Sequence, residues 1–147
     1  MTISMPTSLP PTAPPVDELG RLIRSRFSLV YVDSTEERRA ESLVLGAARA
    51  CGRRVWTWSI SDGLTLADSS DEDLSTATPE AALRRIITLA ANDVVIMRDM
   101  ARHVEEDPRV ERLVPDIARD TDATLVLLGP HGDIPDAVRR TAASWEL

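Results

Sequence analysis

The sequence predicts a three-layer α/β sandwich: a mostly parallel sheet of four to five strands with helices on both faces. Three observations lead there. Runs of Val, Leu, Ile and Met at residues 27–32, 94–97 and 124–128 carry almost no polar side chain, as strands buried on both faces do. Stretches with apolar residues three and four apart separate these runs, so strand and helix alternate. The 147 residues suffice for one domain with a real core, expected at 16–147 behind a Pro-rich flexible tail at 1–15.

Each element has its own signal. Asp17 stands as the N-cap of a first helix with Leu19, Leu22 and Ile23 along one side. After the strand at 27–32, Ser34 and Glu37 have the spacing of a capping box. The helix they open buries Ala40, Leu43, Val44, Ala47 and Ala48 and closes at Gly52, where a left-handed backbone is easiest. Residues 55–60 form the second strand, and Trp56 and Trp58, two apart, face the same side. Residues 61–80 read as an acidic loop poor in regular structure, either simply solvated or an acidic docking surface. Pro79 opens a helix reaching residue 91 and burying Ala82, Leu83, Ile86 and Ile87. The strand at 94–97 ends at Arg98 and Asp99. Asp107 and Pro108 start another helix, which Pro115 is expected to kink or split. The strand at 124–128 leads into a turn at 129–132, a short helix over 134–142 and a final strand beginning at Ser144.

Right-handed crossovers between such strands place any ligand beyond their carboxyl ends. The layout is P-loop-NTPase-like or Rossmann-like, yet without a phosphate loop. That loop needs glycines so that amides converge, and a lysine to reach the terminal phosphates. The corresponding turn, Asp33-Ser34-Thr35-Glu36-Glu37, has neither, and all 17 Lys+Arg residues are arginine. Three carboxylates already complement the helix dipole there. Asp33, Ser34, Thr35 and Asp99 are therefore read as vestigial site positions, with no catalytic, cofactor-binding or metal-binding residue, no cofactor and no enzymatic activity. His103, Glu106 and Asp107 lack a second histidine nearby, His131 lies in a Gly-Pro turn, and Cys51 reads as a buried thiol.

The net charge of -7 argues against a nucleic-acid partner. No segment is apolar and long enough for membrane insertion, and the lone cysteine fits a reducing cytoplasm. Candidate protein contacts are Trp56, Trp58, Asp71, Glu72 and Asp73, the tryptophans being alternatively core. The competing reading is a small-ligand sensor built on Asp33, Asp62 and Asp99 at the strand ends.

Taken together, the segments at 17–26, 27–39, 55–64, 107–110 and 123–135 resemble the N-terminal region of one AAA+ ATPase family. It is typified by a conserved plastid and cyanobacterial reading frame and its bacterial relatives. The resemblance covers residues 16–147. It implies a P-loop-type α/β domain that has lost its phosphate loop and precedes a working ATPase module. A role in interaction or assembly follows from it, with AAA+ ATPase subunits or self-association as partners. No residue of the family's ATPase module has a counterpart in this sequence.

Overall fold

The two-residue period of the strands divides the core in two. Val30, Val32, Ile96, Val126 and Leu128 face one side of a single sheet; Leu29, Tyr31, Met97, Leu125 and Leu127 face the other. The computed structural model describes residues 15–25, 28–69, 71–89, 92–129 and 135–146. Its strands are β1 (Leu29–Asp33), β2 (Val55–Ser59), β3 (Gly63–Leu66), β4 (Val94–Arg98), β5 (Thr124–Gly129) and β6 (Ala143–Glu146). They lie in the order β3-β2-β4-β5-β1-β6, with β3 antiparallel to β2 and every other pair parallel.

Helices α1 (Pro15–Arg24) and α2 (Glu37–Ala50) cover one face through Leu19, Ile23, Ala40, Val44 and Ala47. Helices α3 (Pro79–Ile86), α4 (Met100–Glu106), α5 (Pro108–Asp120) and α6 (Asp136–Thr141) cover the other through Leu83, Ile86, Met100, Val104, Val114 and Val138. This is the three-layer α/β sandwich expected. Its end is also as expected: β6 pairs parallel with β1, Val30 opposite Ala143 and Val32 opposite Trp145.

The acidic segment is more ordered than its composition suggests, and it supplies a sixth strand. After β2 the chain reverses at Gly63, whose φ is +74°. A Cβ there would lie 1.9 Å from the Asp73 carbonyl oxygen. The chain then folds back through a single 3-10 turn, Leu74–Thr76. Buried Thr76 ties the two parts together: its Oγ1 accepts the Leu64 N–H at 2.8 Å and donates to the Asp73 carbonyl at 2.8 Å. Above it, fully buried Trp58 donates its indole N–H to the Thr76 carbonyl at 2.8 Å and meets the His103 ring edge-on at 5.6 Å.

Four local expectations are corrected. The Ser34 and Glu37 capping box does not form, because Ser34 Oγ accepts the Glu36 N–H at 2.9 Å and α2 begins only at Glu37. Pro115 does not split its helix, which runs unbroken from Pro108 to Asp120. A proline removes one donor per helix, and buried Val110, Val114, Ile117 and Ala118 hold both turns against the sheet. Helix α3 ends at Ile86, leaving Ile87 43% exposed rather than buried. A separate helix, α4, precedes Asp107. At Gly52 the expectation holds: φ is +71°, and the Gly52 and Arg53 amides donate to the carbonyls of Arg49 and Ala48. The Pro-rich tail over 1–14, Phe27 and the turn at 130–134 lie outside the described residues.

Gly63→Ala should lower stability by about 2–4 kcal/mol, the combined scale of a left-handed non-glycine residue and an overpacked contact. Urea unfolding checks this, and an unchanged midpoint contradicts the close approach of Asp73.

Candidate functional site

The chain leaves β1 through α2 on one face of the sheet and leaves β5 toward α6 on the other, so the connections part to opposite faces between β1 and β5. In an open parallel sheet that crevice is where ligands collect. Here the turn that should cradle a phosphate is spent on itself. The Ser34 N–H donates to the Gly129 carbonyl at 3.0 Å, extending the β1–β5 ladder past the strand. The Glu36 N–H is taken by Ser34 Oγ, and Ser34 itself is buried. Thr35 and Glu36 are exposed, and Glu36 pairs with Arg39 at 3.1 Å on the surface. Two amides are thus committed, and the mouth of α2 carries Glu36 and Glu37 where an anion would approach.

Asp99 follows β4 in a left-handed conformation, φ 54°, and its side chain caps nothing although it precedes α4. Its amide donates to the Leu128 carbonyl at 3.1 Å. Tyr31, buried on β1, has its hydroxyl pushed above the ordinary range, first by burial and then by the neighbouring Asp33 charge, with Arg139 opposing.

A groove of about 350 Å³ opens on the α1–α2 side of the sheet, toward the carboxyl ends of β2 and β4. Thr57 and Thr65 form its floor, 3.4 Å apart hydroxyl to hydroxyl. Arg98, the last residue of β4, reaches across to α2, where its Nε and Nη2 donate to the two Glu41 oxygens at 2.6 and 2.8 Å. That two-point contact raises the Arg98 pKa further, against the cost of its partial burial. Asp62, Asp71 and Glu72 complete the rim. A cavity of about 410 Å³ lies at the opposite, amino-terminal end of the sheet beside Ser28, Arg53 and Thr121. The groove is the better candidate, because it lies where strand ends and their following loops meet.

The sequence-derived site residues separate. Asp62 lines the groove, whereas Asp33 and Asp99 do not, so the three-aspartate sensor pocket is not formed. Asp71 and Glu72 are exposed at the rim; Asp73 is structural, its carboxylate capping the 3-10 turn through the Ser75 N–H at 3.2 Å. Trp58 is sealed in the core and is withdrawn as a partner contact. Trp56 is half-buried; its N–H donates to Asp93 at 2.9 Å and Arg54 stacks 5.4 Å from its ring. Half-buried Cys51 packs between α1 and α2, its thiol 3.8 Å from the Gly20 carbonyl. Asp107 caps α5 through the Arg109 N–H at 2.9 Å. Among the described residues no three His, Cys, Asp or Glu side chains are placed to hold a metal ion. No described helix is long and apolar enough to cross a membrane. Sequence reasoning missed Glu41 and Thr65, for their meeting with Arg98 and Thr57 depends on strand order and on β3.

Residues 15–147 match the family model for the SpoVK-like AAA ATPase N-terminal domain. The chain is 25% identical over 125 residues to an uncharacterized AAA domain-containing protein, ycf46, of Trieres chinensis. That alignment takes 81% of this chain but 25% of the relative, so the chain spans about a quarter of its length. Among solved structures, it is similar to Drosophila ORC bound to DNA, with a TM-score of 0.45, 13% identity and 89% and 92% of the two chains covered. It is likewise similar to Drosophila ORC bound to AT-rich DNA and Cdc6, with a TM-score of 0.46, 14% identity and 89% and 56% covered. The expectation that the acidic charge balance excludes nucleic acid as a partner is withdrawn. A net charge of -7 is a sum over the whole chain, and 17 arginines allow local cationic surface within it.

Two consequences can be measured. The folded pKa of Tyr31 lies above the unfolded value, so its share of stability is complete below pH of about 10 and is lost as pH rises through the folded value. Tyr31→Phe should flatten that alkaline loss in chemical denaturation between pH of about 9 and about 11, the range around the ordinary tyrosine value. In a double-mutant cycle, Arg98→Ala and Glu41→Ala should show a coupling of about 1.5–3 kcal/mol, the range of charge-assisted hydrogen bonds. A coupling near zero would mean that the two-point contact is not held in solution.

Proposed function

Because this chain belongs to the family of SpoVK-like AAA ATPase N-terminal domains, we propose that it is a non-catalytic interaction and assembly domain. It acts with AAA+ ATPase subunits or further copies of itself in an oligomeric complex, and we assign it to the cytoplasm. Nucleotide turnover in such a complex belongs to other modules.

One observation carries the reading. The turn between β1 and α2 has no glycine and no lysine, commits its Ser34 and Glu36 amides within the protein, and presents carboxylates outward. A triphosphate brought there meets like charge at short range, and few free donors offset the loss of its hydration. What remains is a rigid α/β body with binding surfaces. A small-ligand sensor at the strand ends has no comparable support, since its three aspartates do not share a cavity.

Isothermal titration of the chain with magnesium-ATP tests this. No saturable heat is expected up to concentrations of about 1 mM, the weak limit of useful affinity. Micromolar binding would overturn the proposal.

A further inference from the structure

The turn that closes α2 also gathers arginines. Gly52 takes the left-handed backbone, φ +71°, and the chain re-enters the sheet at Val55, so Arg53 and Arg54 stand between helix and strand. Arg49, in the last turn of α2, joins them on a cavity of about 510 Å³ beside the outer strand β3. Arg53 also lines the cavity at the amino-terminal end of the sheet. Arg24 of α1 reaches the same turn, its Nη1 3.4 Å from the Cys51 sulfur. The field at a helix C-terminus accounts for Arg49. It does not account for Arg53, whose guanidinium reaches the Asn92 carbonyl, before β4, at 3.4 Å.

The three guanidiniums on the cavity differ in what they hold. Arg54 donates to buried Asp93 at 3.1 and 2.8 Å and is committed. Arg49 meets Asp68, whose side chain is 84% exposed, and an ion pair so open to water contributes little. Among the described residues Arg53 has no carboxylate partner. With Arg54 balanced by Asp93, two guanidiniums face the single lining carboxylate, Asp68. The rest of the lining is largely apolar: Val55, Ala67 and Leu66, the last being one of the large hydrophobic side chains left exposed. Cationic and apolar groups therefore share one cavity.

We propose that this cavity docks an acidic segment of a partner protein, its carboxylates on Arg53 and Arg49 and an aliphatic side chain on Val55, Leu66 and Ala67. Charge complementarity selects that occupant, because a planar guanidinium holds a carboxylate at two points. The apolar lining narrows it to a peptide, since a bare phosphate group brings nothing to cover Leu66. An incoming carboxylate displaces Asp68 at small cost. At about 0.15 M salt the screening length is about 8 Å, so this local balance governs the contact more than the net charge of -7 does. The inference deepens the assembly reading and rests on it, by naming a surface and the chemistry of what binds there.

The test uses the whole chain and a short synthetic peptide, Glu-Glu-Leu-Glu-Glu, blocked at both ends. Amide shifts on titration should concentrate at residues 49–55 and 66–69. The double variant Arg49→Gln and Arg53→Gln should weaken binding about tenfold or more at about 0.15 M salt, with the urea midpoint retained. Arg54 stays in place because it holds buried Asp93. Arg84→Gln with Arg109→Gln, on the exposed surface of α3 and α5, makes the same change in net charge and should leave affinity within about twofold. Replacing the peptide's leucine by alanine should weaken binding to the chain by about threefold or more, and have little effect on the Leu66→Ala variant. No binding up to about 1 mM, equal weakening by both arginine pairs, or indifference to the leucine would overturn the inference. A DNA oligonucleotide that shifts the same amides and displaces the peptide would overturn it in favour of nucleic acid. Self-association abolished by Arg49→Gln and Arg53→Gln, without peptide binding, would overturn it in favour of a second copy. Binding of magnesium-ATP would remove the assembly premise itself, whereas failure of the peptide alone leaves that premise standing.

Discussion

The hydrogen bond from the Ser34 amide to the Gly129 carbonyl extends the β1–β5 ladder one step past the end of β1. Its position gives it weight. β1 is flanked by β5 and β6, and the chain leaves β1 and β5 in opposite directions. That backbone bond extends the pairing of the two strands at the point where a parallel sheet ordinarily opens a crevice. Ser34 then turns its hydroxyl to the Glu36 amide, which delays α2 to Glu37 and brings the chain from strand to helix in three residues. No wide, amide-lined loop can form in so short a connection. The acidic side chains of Glu36 and Glu37 stand at the same helix start, beside amides already committed within the protein.

Around that corner the two helix layers do different work. On one side α1 and α2 supply small residues, Ala40, Ala47 and Ala48, so α2 can approach the sheet closely. They cover β2 at Val55 but leave Thr57 and Thr65 uncovered, and that strip of sheet becomes the groove. On the other side α3, α4 and α5 bring larger side chains, and Trp58 fills the space beneath them. A buried tryptophan costs about 3–5 kcal/mol to truncate, which sets its role as core above any contact with a partner. Asp93 is the polar counterpart: almost fully buried at the start of β4, it accepts from Arg54 at 2.8 Å and from Trp56 at 2.9 Å, tying β4 to β2. Removing either donor leaves a carboxylate short of partners away from water.

Much of this could be read in the residues, and the limits have physical causes. The strands around Val30, Ile96 and Val126 were plain because burial on both faces leaves an unbroken apolar run. Gly52 was plain because a left-handed helix end has one favoured residue. β3 was hidden because a four-residue strand, Gly-Leu-Thr-Leu, lies among carboxylates and owes its place to Thr76, ten residues beyond its end. Ser34 misled because two local hydrogen bonds compete for one hydroxyl, and the nearer amide won. Pro115 misled because tertiary packing outweighs one missing donor. The chemistry of the turn between β1 and α2 was legible from what it lacks, glycine and lysine. The groove was not, since Arg98 and Glu41 stand 57 positions apart.

The three tryptophans occupy three different seams of the molecule. Trp58 joins β2 to the returning 3-10 turn in a dry interior, Trp56 joins it to the start of β4 beside a guanidinium, and Trp145 hydrogen-bonds Glu18 and so fastens the outermost strand to α1. Indole emission shifts with the polarity around it, so the chain carries its own set of optical gauges. Versions keeping one indole at a time would report separately on the interior, on the middle of the sheet and on its margin.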